Sequence, residues 1–332
     1  MDNIIEWTLS TSRARFFSLA RYGMIEAFKL SDVKEGDCVL IPEFICRDIV
    51  ASIRTIGARV LFYSTGKDLS PLDSSEKWPK AKVVLATNYF GFPQDLKPFK
   101  EYAIRTGAVI VEDNAHGFLS KDESGNWLGL RTDIGIFSYR KTLCLSDGAS
   151  IVVNKTQLLP FLEKQVSSIG AGYSPRVRLK YLIKNIPILG LSLWLSITLL
   201  TRFIRKLKTG HSLPIPDPSH EVSIPYIKNP HKIFSKNMQK YAKNEKNEIK
   251  RRRDLYYKVT VMAQKLNIHS VFPQLPINTA PYGFPFRANE QSAKLLAKKI
   301  RWLGLDLFKW PDLPNEVAMK EEYNDIWIVN FL

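Results

Sequence analysis

The segment Val109-Ile110-Val111-Glu112-Asp113-Asn114-Ala115-His116 is a short apolar run that ends on a carboxylate, Asp113, with an imidazole, His116, three residues later. Downstream, Gly135-Ile136-Phe137-Ser138-Tyr139-Arg140-Lys141 carries a hydroxyl and an amine at the end of another apolar run, and Asp147-Gly148-Ala149-Ser150-Ile151-Val152-Val153 opens a third. A carboxylate, a hydroxyl and a lysine delivered to successive strand ends suit pyridoxal 5′-phosphate. The lysine amine condenses with the cofactor aldehyde, the aspartate keeps the pyridine nitrogen protonated so that the ring accepts electrons, and the serine donates to the phosphate. Taken singly, a strand-end Asp also serves as a cap and a lone Lys as a surface group. The order and context of the set carry the reading.

Such residues need strand ends to stand on. Cys38-Val39-Leu40-Ile41-Pro42, Val60-Leu61-Phe62-Tyr63, Val83-Val84-Leu85-Ala86 and Val109-Ile110-Val111 are short apolar runs, and helical patterns over Asp48–Ile56 and Asp95–Thr106 separate them. Buried strands alternating with helices imply βαβ units and an α/β fold with a three-layer, mostly parallel sheet. Ligands of such sheets collect at the carboxyl ends of the strands.

The chain has 332 residues, 45% of them hydrophobic and 24% charged, which suits one large domain and a smaller one. Three cysteines, Cys38, Cys46 and Cys144, make no disulfide framework and no zinc-like spacing. No metal site is expected, and Met1-Asp2-Asn3 lacks a signal-peptide layout, so a reducing, cytoplasmic setting follows. Charge is uneven. Residues 1–154 hold 19 of the 48 Lys and Arg and 19 of the 32 Asp and Glu, so the remaining 29 and 13 place the whole +16 in residues 155–332. That field suits nucleic acid, a membrane surface or a phosphorylated substrate, and also an ordinary solvated face.

The second half changes character. Residues 186–200 (IPILGLSLWLSITLL) carry no charge and are flanked by Lys180 and Lys184 before and Arg202, Arg205, Lys206 and Lys208 after. Fifteen helical residues span roughly 22 Å, short of a hydrocarbon core, which leaves a buried or dimer-interface helix or an interfacial segment held by cations. The Pro-rich run Leu213–Pro218 reads as a linker and Lys236–Lys258 as one basic helical stretch. Within it Glu245 and Glu248 are interleaved with lysines at helical spacing, which favours a solvated helix over nucleic-acid binding. The expected division is a large domain over 1–210 and a small α+β domain over 211–332.

Several motifs in order, from about Ser18 to Asn154 and again weakly over 251–286, resemble the DegT-type sugar aminotransferases, pyridoxal phosphate enzymes of the aspartate-aminotransferase fold. Gly36–Pro42 is similar to the family's Gly-Asp-x-Val-x-x-Pro segment, and Asn88-Tyr89-Phe90-Gly91 to its strand-end turn. Glu112–His116 matches Glu-Asp-x-Ala-His/Gln, while Phe137-Ser138, Lys141 and Asp147-Gly148 look like the lysine loop. The resemblance implies that Lys141 is the Schiff-base lysine and proton shuttle, that Asp113 pairs with the pyridine nitrogen, that His116 lies near the phenolic oxygen and that Ser138 binds phosphate. Ala20-Arg21-Tyr22 opens a helix whose N–H groups would face the phosphate. Arg21 fits a direct phosphate ligand and an exposed first-turn arginine equally.

This chain departs from the pattern in places. Ser138 and Lys141 stand closer together than is usual, and Arg140 adds a cation that would depress the lysine pKa or point to solvent. Cys46 sits where many members stack an aromatic on the cofactor, leaving that contact to Phe44. The family's Asn-Tyr-Arg segment has no clear match, with Gly170-Ala171-Gly172-Tyr173 near its place, and Ile328–Leu332 reads as a strand beginning where members continue, as in a truncated chain. The expected activity is transfer of an amino group from an amino acid, glutamate foremost, to a nucleotide-linked keto-sugar by a homodimer that binds no nucleic acid, for polysaccharide or related amino-sugar synthesis. Peripheral membrane contact through 186–200 is part of that expectation. The alternative is a protein of the same fold without turnover, acting as a binding or assembly partner.

Overall fold

In the computed structural model, residues 3–331 are described apart from 144, 146, 163–178, 180, 181, 184, 185, 187, 188, 210–220, 223, 225–227, 232 and 233. Seven strands form the main sheet: β1 (Ala14–Phe17), β2 (Cys38–Pro42), β3 (Arg59–Tyr63), β4 (Val83–Thr87), β5 (Val109–Asn114), β6 (Ile134–Ser138) and β7 (Ala149–Val153). Their order is β1-β7-β6-β5-β4-β2-β3, parallel from β3 to β6 with β7 antiparallel to both its neighbours.

Strand alternation decides the layers. Val39, Ile41, Val83, Leu85 and Val111 face α2 (Ala20–Leu30) and α3 (Arg47–Thr55), where Met24, Phe28, Ile49 and Ile53 complete one core. Leu40, Val84, Ala86 and Ile110 face the other way and pack on Phe99 and Tyr102 of α4 (Lys97–Thr106). Both faces are covered, which is why these strands read as unbroken apolar runs. Gly148, at φ +116°, approaches Phe234 too closely for any Cβ, and its N–H donates to Ser18 O at 2.8 Å. Gly148 is therefore a packing requirement where β1, β7 and the lysine loop meet.

The basic stretch expected as one helix is two. Helix Phe234–Ala242 packs its Phe234, Met238 and Ala242 on Ile4, Ile5 and Phe137 against the main sheet, and helix Glu245–Gln264 restarts after Asn244 (φ −120°, ψ 15°). Glu245 and Glu248 in that first turn match the helix's positive end. The expected division at 210/211, the linker Leu213–Pro218, Gly170–Tyr173, Cys144 and Leu332 lie outside the described residues. A second, three-stranded antiparallel sheet combines β8 (Gly283–Arg287), β9 (Asp306–Lys309) and β10 (Ile326–Asn330), in the order β8-β10-β9. Ile328–Leu332 reads as the beginning of a strand; the strand found is Ile326–Asn330, two residues earlier, and it is the central one of this sheet. The core of this unit runs on through Phe44, Tyr89 and Phe90 of the first, so the two hydrophobic cores meet beside the carboxyl ends of β2 and β4.

The apolar segment 186–200 also differs from its expected extent. The helix runs over Gly190–Thr209, nine residues past Leu200, because nothing in Thr201–Thr209 interrupts it. No described helix is long and apolar enough to cross a membrane.

Candidate active site

Register brings the predicted groups together. Thr87 ends β4 opposite Asp113 of β5, Asn114 lies opposite Phe137 of β6, and Ser138 ends that strand. A four-residue helix, α5 (Tyr139–Thr142), then carries Lys141 across these ends. Phe44 and Cys46 follow β2 into α3. The side chains of Phe44, Cys46, Thr87, Asp113, His116 and Lys141 line one cavity, joined by Trp310 from the second unit. It holds about 20 Å³, room for roughly one water, so Lys141 and Trp310 must turn aside to admit a ring. A larger open groove, about 1100 Å³ between Pro93–Glu101 and Asp122–Arg131, contains none of the predicted residues.

The amine and the imidazole are in contact: Lys141 Nζ lies 3.2 Å from His116 Nε2. The backbone N–H of Phe90 donates to His116 Nδ1 at 3.4 Å, so the neutral ring carries its proton on Nε2 and donates it to the lysine lone pair. Burial pushes the His116 pKa well below its ordinary value. Burial also lowers Lys141, and Arg140 beside it reinforces the effect, whereas the Asp113 carboxylate opposes it. Both groups are thereby biased toward neutrality, the state in which an amine is a nucleophile. The thiol of Cys46 is itself pushed up to about 11 by burial and Asp48, so it stays protonated.

Asp113 is 7% exposed and accepts from Ala115 N–H at 3.1 Å. Among the described residues no cation stands within ion-pair distance of it. Burial raises its pKa against the pull of Lys141. A buried carboxylate of this kind recovers its desolvation cost by meeting a cation such as a protonated ring nitrogen. Three more polar atoms near these strand ends are buried without a hydrogen-bond partner: Ser138 Oγ, Thr87 Oγ1 and Arg140 Nε. Native interiors rarely leave such groups orphaned. Unpartnered donors beside an unpaired carboxylate and a desolvated amine fit a planar, cationic ring with an anionic arm, so the residues present fit pyridoxal 5′-phosphate.

Other predicted residues are placed differently. Arg21 is neither a free ligand nor a free surface group; it pairs with Asp48 of α3 at 2.9 Å. Ala20, Arg21 and Tyr22 form the first turn of α2, which has no side-chain cap on Leu19, and none of the three lines the cavity. Arg140 does not point freely to solvent, since its Nε is buried.

Sequence reasoning missed what the second unit contributes. The ring of Tyr282 stacks on His116 at 4.5 Å and 9°, Phe90 stacks on it at 5.8 Å, and Trp310 meets it edge-on at 5.1 Å while its face lies 5.4 Å from Lys141 Nζ. Fully buried Arg252 donates to the carbonyls of Pro281 (3.1 Å), Tyr282 (3.3 Å) and Thr142, tying the lysine helix to the Tyr282 strand entry. This is the run read as a solvated basic helix, yet its helix Glu245–Gln264 buries Glu245 and Arg252 as well as Tyr256, Val259 and Ala263. The residues after Trp310 are fastened to the first unit by Arg47 with Asp312 (2.8 Å) and by Lys320 with Glu43 (2.6 Å). Phe90 carried a signal as part of the Asn88–Gly91 turn, and Arg252 and Tyr282 fall within the weak resemblance over 251–286, which assigned them no role. Trp310 stands in no recognisable spacing.

Residues 20–171 match the model of the DegT/DnrJ/EryC1/StrS aminotransferase family. The chain is 29% identical over 132 residues to GDP-perosamine synthase of Escherichia coli O157:H7, covering 38% of this chain and 36% of that protein. It is 30% identical over 122 residues to protein MosB of Rhizobium meliloti, covering 35% and 24%. The matched stretch thus spans about a third or less of these curated relatives. A solved structure of a putative sugar aminotransferase, Spr1654 from Streptococcus pneumoniae in its PLP form, superposes with a TM-score of 0.64 at 14% identity over 98% of this chain and 83% of that one. The resemblance drawn from the motifs therefore holds, and the fold is that of these aminotransferases.

Proposed function

We propose that this chain is a pyridoxal 5′-phosphate-dependent aminotransferase that moves an amino group from an amino acid, with glutamate as donor, to a nucleotide-linked keto-sugar, in amino-sugar or surface-polysaccharide synthesis. One observation carries the reading: a desolvated Lys141 amine, held by neutral His116, shares a cavity with the unpaired, buried carboxylate of Asp113. The family match over residues 20–171 and the amino-sugar relative support the same chemistry.

Lys141 would hold the cofactor aldehyde, Asp113 the ring nitrogen, and Ser138 with Arg140 the phosphate. When bound, the cofactor supplies an electrophilic carbon and a ring that accepts an electron pair. The protein's own residues do the rest. His116 Nε2–H steadies the Lys141 lone pair toward one direction, and Phe90 N–H keeps that tautomer in place. With its amine free, Lys141 would be the base within reach of the cavity to take a proton and return it. Tyr282 and Trp310 wall off the imidazole, which keeps water from competing for either nitrogen. The working unit would be a homodimer in the cytoplasm, with the cationic half of the chain free to meet a membrane surface.

Purified protein incubated with pyridoxal 5′-phosphate should develop a near-ultraviolet to visible absorption band that sodium borohydride bleaches, and glutamate should convert it. Lys141→Ala should show no bleachable band and lose transamination by about 10³-fold. A variant that still traps the cofactor covalently would remove Lys141 from its assigned role.

A further inference from the structure

The helix Gly190–Thr209, α6 in the chain, plays no part in the site. Leu189, just ahead of it, and its Leu193, Leu200, Phe203, Ile204 and Leu207 are each 43–72% exposed. At about 100° per residue they fall within a sector of about 100°, a stripe roughly 27 Å long. Away from that stripe the helix is fastened to the rest of the protein: Leu195 is buried and Arg202 pairs with Asp306 of β9 at 2.8 Å. The stripe thus faces outward on a helix whose other side is anchored. Isolated exposed leucines need no explanation, but six large apolar side chains on one face, interrupted only by Ser196, do.

Charge says what covers it. From Lys164 to Pro216 the sequence has nine Lys and Arg and not one Asp or Glu, more than half of the net +16 in under a sixth of the chain. Four of the nine, Arg202, Arg205, Lys206 and Lys208, fall in the last turns of the helix itself. A second copy packed about a two-fold axis would set this field against itself. A spanning orientation would bury those four cations, and the helix is not apolar enough to cross. An apolar stripe flanked by cations is the pattern of a helix lying in the plane of an acidic bilayer, its stripe among the acyl chains and cations such as Lys208 among the headgroups, Arg202 being held by Asp306.

We propose that the Leu189–Leu207 stripe docks the protein on an anionic lipid surface. The segment is longer than the 186–200 run anticipated from hydropathy, because Phe203, Ile204 and Leu207 extend it among the cations. Docking does not depend on the aminotransferase reading, since it is a property of the helix and is read without turnover.

Full-length, cofactor-loaded protein should float with vesicles of phosphatidylcholine containing about 30% phosphatidylserine and not with pure phosphatidylcholine, and added salt should weaken the binding. The triple variant Leu200→Glu, Phe203→Glu, Leu207→Glu should cut the bound fraction at least tenfold, with its mass by light scattering and its melting temperature unchanged. Lys206→Gln with Lys208→Gln should weaken vesicle binding by roughly fivefold per charge, and decides the matter if the triple variant does not fold. Undiminished flotation of both variants would overturn the proposal. So would absence of vesicle binding by the parent protein, and a triple variant that only splits a larger oligomer would assign the stripe to a seam between copies instead.

Discussion

The backbone N–H of Phe90 donates to Nδ1 of His116, and this one contact decides what the imidazole presents to Lys141. Phe90 sits at φ +55° in the Asn88–Gly91 turn, a conformation few phenylalanines adopt, and its ring lies stacked 5.8 Å from the same imidazole. Backbone and side chain of one residue therefore fix both the tautomer and the tilt of the histidine.

A depressed His116 pKa has a stability consequence with a definite sign. Above about pH 6.5 the ring is neutral folded and unfolded; as pH falls below that, the unfolded chain binds a proton that the native ring refuses, and stability is lost until the folded pKa is reached. The loss is at most about 1.4 kcal/mol per pH unit. Asp113, raised instead of lowered, works the other way, contributing most below its unfolded pKa and losing that contribution as pH rises. Urea unfolding at pH 7.5 and 5.5 should show the parent losing about 1 kcal/mol more than His116→Gln. Equal losses would mean that the ring takes up its proton in the folded state.

Tyr282 stacks on the same ring at 4.5 Å. Tyr282→Phe keeps the stack and should leave kcat within about twofold, whereas Tyr282→Leu forfeits about 0.5–1.5 kcal/mol of ring contact and should lower kcat about tenfold with little change in KM. If both variants behave alike, the stack has no bearing on His116.

Arg252 is a keystone. Replacing it with Met leaves three carbonyls without their donor and should cost about 3–5 kcal/mol in urea denaturation. Arg252 pairs with Glu248 at 2.8 Å; its neighbour Arg251 pairs with the same carboxylate at 2.7 Å but is 39% exposed, and Arg251→Met should cost about 1 kcal/mol or less. Comparable values for the two would show that burial does not set the difference.

Trp310 lies over the lysine and lines a cavity too small for a ring. Trp310→Ala should accelerate cofactor uptake by the cofactor-free protein, about tenfold or more in a stopped-flow absorbance trace, while raising the equilibrium dissociation constant. Unchanged uptake would place the slow step elsewhere, for instance in the ion pairs of Arg47 and Lys320 that hold this loop.

Much of the first unit could be read directly. Runs such as Val83–Thr87 and Val109–Asn114 are apolar on both faces because helices cover both sides, and local order along the chain placed Asp113, Ser138 and Lys141 at neighbouring strand ends. The basic stretch misled for a physical reason. Composition cannot tell which cation is solvated, and Arg252 is fully buried only because Thr142, Pro281 and Tyr282 turn their carbonyls toward it.

The sequence by itself determined the chemistry and the scaffold: which residue types stand at the strand ends, and that the sheet is mostly parallel. Those follow from short-range periodicity and turn chemistry, which any stretch of chain carries within it. The tertiary structure alone decided that Tyr282 and Trp310 close on His116, that Arg21 is taken by Asp48, and that the α6 stripe faces outward. Each of these joins elements distant in sequence or depends on what a face lacks. Contacts of that sort arise from the packing of whole units and leave no local trace.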